Sequence, residues 1–312
     1  MERHKNIMIV YNRQAGDEAG LQRAMNLARV NGAHLTLAET ATAIGTAIHC
    51  GSDEQLTHLR RFTSGLRHEG ISASAVVLRG EPVFEVVRHV IEAGIDLLFV
   101  SKDGANGWRN LTKGRFARSL VRECPCPVWV MQPESGSRFN WILAAVGLGE
   151  SGQARALDLK VLELASSLAR AESCRLDIMH VWDFIGGERD TSRSEITPEI
   201  LQALKDRNIS RHKSSLNRLM KSLDLNGITT SLHFPCGIPF EEIGRFLDQN
   251  SVDLVVLGER VQSGLWAGAT AEDVLAMTDC QVLTVKPDAF VSSTEHALDG
   301  IFSGRRPPTA AS

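Results

Sequence analysis

No apolar run in this sequence approaches a membrane span: the longer ones, such as WILAAV at 141–146, fall far short of the roughly 18–20 residues a helix needs to cross a bilayer. MERHKNIMIV at the start has no long apolar stretch with a small-residue cleavage site, and its run from Ile7 to Tyr11 has the length of a strand. The expectation is a cytoplasmic protein. Cysteine is scarce, six in 312 residues with no C-x-x-C pair, which excludes a disulfide framework. Cys124, Pro125 and Cys126 form a C-x-C entering a strand-like run and read as buried structural thiols, so no metal site is expected. An excess of one charge is also missing: 34 Lys and Arg against 37 Asp and Glu leave −3, which argues against nucleic acid as a partner.

Enzyme signatures are missing as well. There is no G-x-G-x-x-G after the first strand, no G-x-x-x-x-G-K, no H-E-x-x-H and no G-x-S-x-G. Ser210, Arg211, His212 and Lys213 spell S-x-x-K, but in a polar helical stretch without the companion motifs, so chance explains it.

What the chain does contain is a duplication. GEPVFEVVRHVIEAGIDLLFVSKDG at 80–104 and GIPFEEIGRFLDQNSVDLVVLGERV at 237–261 share, at an offset of 157, the pairs Gly80/Gly237, Pro82/Pro239, Glu85/Glu242, Arg88/Arg245, Asp96/Asp253 and Leu97/Leu254. These are six identities in twenty-five positions, against roughly one or two from average composition. CPVWVM at 126–131 answers CQVLTV at 280–285, and IMIVYN at 7–12 answers ILAAVG at 142–147. The copies meet near 132–140, where QPESGSRFN has linker composition. The expected domains are 1–134 and 139–290, followed by a frayed polar tail over 291–312.

Each copy alternates short apolar strands with amphipathic helical segments, which predicts right-handed crossovers and a parallel sheet covered on both faces. The fold class is α/β: two doubly wound domains, each a five-stranded, mainly parallel sheet. Pro82 and Pro239 suit a first helical turn and Gly80 and Gly237 the tight turn before it, a structural rather than a ligand-binding role. Ligands of such sheets lie beyond the carboxyl ends of strands, where strand order reverses. That selects the loops after the first strands, at Asn12 and Gly147, and after the fourth, Ser101 to Gly114 and Gly258 to Gly268.

The two Gly-x-Pro turns, the DLLFVS and DLVVLG strands, SGLWAGATAEDVL at 263–275 and the CPVWVM ending, in this order and duplicated, resemble the universal stress protein family in its tandem form, over 5–132 and 139–287. The resemblance implies the adenine nucleotide alpha hydrolase-like fold and an internal pseudo-dimer whose two copies associate through their last strands, which as apolar sheet edges need cover. Larger homo-oligomers are compatible with it. Nucleotide-binding members resemble one another in an Asp ending the first strand and a G-x2-G-x9-G loop followed by Ser or Thr, whose amides and hydroxyl face ribose and phosphates.

Here the first copy has Asn12 for that Asp, then Ser101, Gly104 and Gly114 with the spacing intact, and Arg115 in place of the hydroxyl residue. Arg115 can pair with a phosphate or fill the pocket. The second copy has Gly147 for the Asp, Gly258, then Val261 where the second Gly would stand, Gly268 only six residues on, Ala269, and Thr270 one position late. The first loop reads as degenerate and the second as lost or remodelled. His180, ending the strand LDIM, reads as a satisfied core histidine, with anion binding as the alternative. Trp108 and Trp266, in the loops after the fourth strands, read as pocket plugs or domain contacts.

The resemblance therefore implies a non-enzymatic stress-response protein acting on a small ligand or a protein partner, with no assured cofactor. One alternative is an ATP binder or slow ATPase using the first copy. A further one is a carrier of an apolar or lipid-like ligand in the second.

Overall fold

A computed structural model describes residues 4–11, 18–41, 48–102, 114–132, 138–182, 198–259 and 270–295. In chain order the elements are β1 (Asn6–Val10), α1 (Glu18–Asn31), β2 (His34–Ala41), α2 (Ile48–His68), β3 (Ala73–Arg79), α3 (Pro82–Ala93), β4 (Leu97–Ser101), α4 (Arg115–Glu123) and β5 (Val128–Met131). There follow β6 (Trp141–Ala145), α5 (Gly152–Glu172), β7 (Arg175–Met179), α6 (Pro198–Met220), β8 (Thr230–His233), α7 (Pro239–Gln249), β9 (Leu254–Gly258), α8 (Thr270–Met277) and β10 (Gln281–Val285). None of the described helices is long and apolar enough to cross a membrane.

The chain forms two compact units, one of residues 2–137 with 281–312 and the other of 138–280. In the first the strand order is β3-β2-β1-β4-β5-β10. The five strands from the first half are parallel to their neighbours, and β10 runs antiparallel on β5, with Leu283 opposite Trp129. The apolar strand β5 therefore does not end the sheet. In the second unit the order is β9-β6-β7-β8, again all parallel. Order reverses beside β1 in the first unit and beside β6 in the second, which places the crevices predicted for ligands at the ends of β1 and β4, and of β6 and β9.

The residues repeated at the offset of 157 have architectural work. At Gly80, with φ 138°, a Cβ would stand 3.0 Å from the Glu85 side chain, and at Gly237 one would stand 2.6 Å from Glu242 Oε1. Each glutamate folds back over its glycine and is held by the arginine one turn on, Arg88 donating to Glu85 at 2.5 Å and Arg245 to Glu242 at 2.5 Å. Pro82 and Pro239 open α3 and α7, where no amide hydrogen is needed. Glu81 caps α3 by accepting the Phe84 amide at 2.6 Å, and Gly94, left-handed at φ 61°, ends it. Asp96 accepts the amides of Lys5 and Asn6 through one oxygen, at 2.6 and 3.2 Å. Asp253 does the same for Asn140 and Trp141, at 2.7 and 3.0 Å. The repeated aspartate thus fastens the entry of each copy's first strand to its fourth.

The first core is built on β1, buried from Ile7 to Val10, and on the wholly buried β4, with Phe99 stacked on Trp129 at 5.0 Å between centroids. In the second unit Asp177 is fully buried, yet it carries three donors: Arg175 at 2.6 and 2.8 Å and His233 Nε2 at 2.7 Å. Arg175 in turn lies over the Trp141 ring at 4.2 Å.

Candidate functional site

At the carboxyl edge of the first unit, Ser101 closes β4 beside Met131 of β5, and both are buried. Its Oγ has no hydrogen-bond partner among the described residues, and neither has Thr40 Oγ1 near the end of β2. A buried hydroxyl without a partner loses its hydration and gains nothing in return. Gly114 stands beside Lys102, the residue after Ser101: a Cβ on it would meet Lys102 Cγ at 3.9 Å. Gly114 is left-handed at φ 81° and precedes α4 without a side-chain cap. The first turn of α4 has no acidic residue and begins with Arg115, which is exposed. Amides, helix dipole and guanidinium consequently all present positive charge at this point. Of the first-copy candidates, the structure brings Ser101, Gly114 and Arg115 to one edge. Asn12, Gly104 and Trp108 lie outside the described residues.

At the second edge, side chains of α5 pack against two of the candidate glycines. A Cβ on Gly258 would meet Leu157 of α5 at 2.8 Å, so this glycine serves the approach of helix to strand. Gly147, which stands where nucleotide binders carry their Asp, donates its amide to Asp158 Oδ1 at 2.9 Å. Asp158 comes from α5 and is 3% exposed. Between Gly147 and Gly149, Leu148 adopts φ 48°, a left-handed conformation rare for a residue with a Cβ. Thr270 is the first residue of α8. Val261, Trp266, Gly268 and Ala269 lie outside the described residues.

His180 is buried with both ring nitrogens engaged, Nδ1 on the Val146 carbonyl at 3.0 Å and Nε2 on His212 Nδ1 at 3.0 Å. It is a satisfied core histidine. The His212 ring packs against both His180 and Trp182, at 4.7 and 6.0 Å between centroids. Burial pushes the His212 pKa below the usual histidine value, and neighbouring Arg211 adds to the effect. The S-x-x-K stretch supplies no free nucleophile, since Ser210 Oγ donates to the Asp206 carbonyl at 2.7 Å within α6.

Asp158 and His212 were not singled out by the sequence. Asp158 had a signal, a charge on the helix face that carries Leu157, Val161 and Leu162. His212 had none, being one of six polar residues in a row, 210–215. Cys124 and Cys126 are buried with their sulfurs 3.5 Å apart. Their hydrogen bond and burial raise the Cys126 pKa well above the usual thiol value, which suits packing rather than reactivity. Among the described residues no group of three or more His, Cys, Asp or Glu could hold a metal ion.

Comparison with known proteins adds four findings. The model of the Usp family, described as the universal stress protein family, matches twice, over residues 3–132 and 142–286. Universal stress protein E of Photorhabdus laumondii is 24% identical over 314 residues, covering 93% of this chain and 97% of its own length. A functionally unknown protein of Pseudomonas aeruginosa PAO1 shares the fold with a TM-score of 0.71 at 19% identity, over 97% of this chain and 98% of that one. A universal stress protein structure from Pseudomonas aeruginosa UCBPP-PA14 superposes with a TM-score of 0.70 at 20% identity, over 96% and 98%.

Proposed function

Since the chain belongs to the universal stress protein family as a tandem of two such domains, we propose that it is a non-enzymatic stress-response protein that acts by binding, with the carboxyl edge of the first unit as its ligand site. The observation that carries this reading is Ser101: its buried hydroxyl has no partner among the described residues, at the strand end where ligands of this fold lie. A small anion reaching that edge would accept from Ser101 and meet the first turn of α4. The second edge supports the opposite assignment, because Asp158 already takes the Gly147 amide and Leu157 fills the space over Gly258. The same packing leaves less room for an apolar ligand there.

A second reading, ATP binding or slow hydrolysis in the first unit, is favoured by left-handed Gly114 and by Arg115 at a helix start free of acidic side chains. Isothermal titration with magnesium ATP, after native mass spectrometry for a co-purified molecule, separates the two. About one ATP per chain, weakened by Arg115→Glu, supports the nucleotide reading. No heat at millimolar ATP removes it. A co-purified anion displaced by Ser101→Ala supports the binding reading without ATP. If no ligand copurifies and none binds, the first-unit site is wrong and the protein acts through a protein partner.

A further inference from the structure

Helix α6 turns its most charged side away from the second unit. Leu204, Arg207, Arg211, Ser214, Arg218 and Lys221 follow one another at alternating steps of three and four residues, which aligns them along one side of a helix. Lys221 stands one residue beyond the last turn, but its amide still reaches the Asn217 carbonyl at 3.2 Å, so it keeps the helical course. All six are exposed. The opposite side of the helix holds buried Leu216 and carries His212, which packs on His180 and Trp182.

From Arg207 to Lys221 the row brings three arginines and a lysine along about 21 Å, at 1.5 Å per residue, and it contains no carboxylate. The carboxylates nearest in sequence serve elsewhere: Asp206 accepts from Gln202 Nε2 at 3.0 Å, and Asp224 pairs with Arg170 of α5 at 3.1 Å. None of the four cations has a carboxylate partner among the described residues. Arg207 and Arg211 stand four residues apart, and Arg218 and Lys221 three, where like charges destabilise a helix. Packing does little to offset this. Of the described side chains of α6 only Leu216 is buried, while α5, of similar length, buries eight. A helix that repels itself along one side and is lightly held on the other gains stability from anions supplied by a partner.

The pattern also selects the partner. A helix that lies on a bilayer needs an apolar face toward the lipid, and only Leu204, at the start of the row, is apolar. Single-stranded nucleic acid is held by aromatic platforms, and the row has none. Alternating steps of three and four are the spacing at which two helices lie side by side, and a guanidinium matches a carboxylate at two points. We infer that the outward row of α6 is a docking surface for an acidic helix of a protein partner, whose Asp or Glu side chains repeat the same spacing and whose apolar end meets Leu204. This does not depend on the ligand reading of the first unit.

The test uses two labelled alanine-based peptides of one composition, both helical by circular dichroism. They differ in where their glutamates stand: in one these follow the spacing of the row, in the other they are spread around the helix. By fluorescence anisotropy the first should bind the full chain about tenfold more tightly than the second, and should weaken as salt rises from about 0.05 M to about 0.5 M. Arg211→Glu combined with Arg218→Glu should cost about tenfold in affinity for it, whereas Arg60→Glu combined with Arg61→Glu, exposed on α2 of the first unit, should leave it unchanged. Equal affinity for the two peptides, or an equal loss from the two double variants, would show attraction by net charge alone and overturns the proposal. Failure of the row-spaced peptide to bind also overturns it, including the case in which vesicles with about 30% phosphatidylserine hold the protein instead.

Discussion

Trp129 in β5 donates its indole N–H to the side-chain oxygen of Gln281 in β10, across 2.8 Å and 152 residues of sequence, with both side chains buried. The bond ties the last strand of the second repeat to the first unit. Gln281→Ala should leave the indole N–H buried without an acceptor and cost about 1–3 kcal/mol. The drop in the urea midpoint with unchanged slope would measure it, and an unaltered midpoint would show that the contact is dispensable.

The turn glycines should be far less tolerant than their surface position suggests. Gly80→Ala must adopt φ 138° and push against Glu85, so a loss of about 1–3 kcal/mol is expected. Gly94→Ala, at φ 61° with open space around its Cβ, carries only the conformational cost, about 1 kcal/mol. Thermal unfolding of the two variants compares a clash with strain alone.

Asp177 illustrates a buried charge whose partners must stay. Arg175→Met removes two of the three donors of a fully buried carboxylate and His233→Phe removes the third, and each should destabilise by about 2–5 kcal/mol. Equal stability of either variant would show that the remaining partner suffices.

The pH dependence has a defined sign. Burial lowers the pKa values of His89 and His212 below the ordinary 6.5. The unfolded chain therefore binds protons before the folded one does, and stability is full above about pH 6.5 and falls as pH drops toward the folded values. Asp96 acts lower down. Burial pushes its pKa up, but His4 at 3.6 Å and the amides of Lys5 and Asn6 outweigh that and hold it below 3.8. Its contribution is present above that value and is lost as pH falls beneath it. Denaturation measured between about pH 8 and about pH 5 should lose part of its pH slope in His89→Gln, and an unchanged slope would show that His89 does not contribute.

At the candidate site, stability and binding should separate. Ser101→Ala deletes a buried hydroxyl that has no partner among the described residues, so it should leave the protein as stable or raise its stability by about 1 kcal/mol while weakening any ligand that the hydroxyl holds. Parallel melting and ligand titrations read the two effects. A destabilised Ser101→Ala would show that the hydroxyl already has a partner in the free protein.

The fold was legible because the repeated residues act over short range. Gly80, Pro82, Glu85 and Arg88 belong to one turn and its helix, and their counterparts repeat the same contacts. The α/β class followed from the alternation of strands with helices, and the family from the order of the duplicated pieces. The site was less legible, because its decisive contacts join distant positions. Asp158 reaches Gly147 from eleven residues away, and His212 reaches His180 from 32. A spacing motif records which glycines a loop keeps. It does not record that a helix next door has supplied its own carboxylate. Likewise the loop pattern does not record that Gly258 packs against Leu157 on α5.

The antiparallel seat of β10 on β5 also orders events at the ribosome. The five parallel strands of the first unit leave the exit tunnel long before Gln281 is made, and Trp129 waits for a partner 152 residues downstream. At roughly 5–20 residues per second, that leaves an apolar strand uncovered for about 10–30 s. During that interval the growing chain needs either the rest of itself or a chaperone. An arrest of translation in the second repeat would thus release a nascent chain whose first half has a sticky seam.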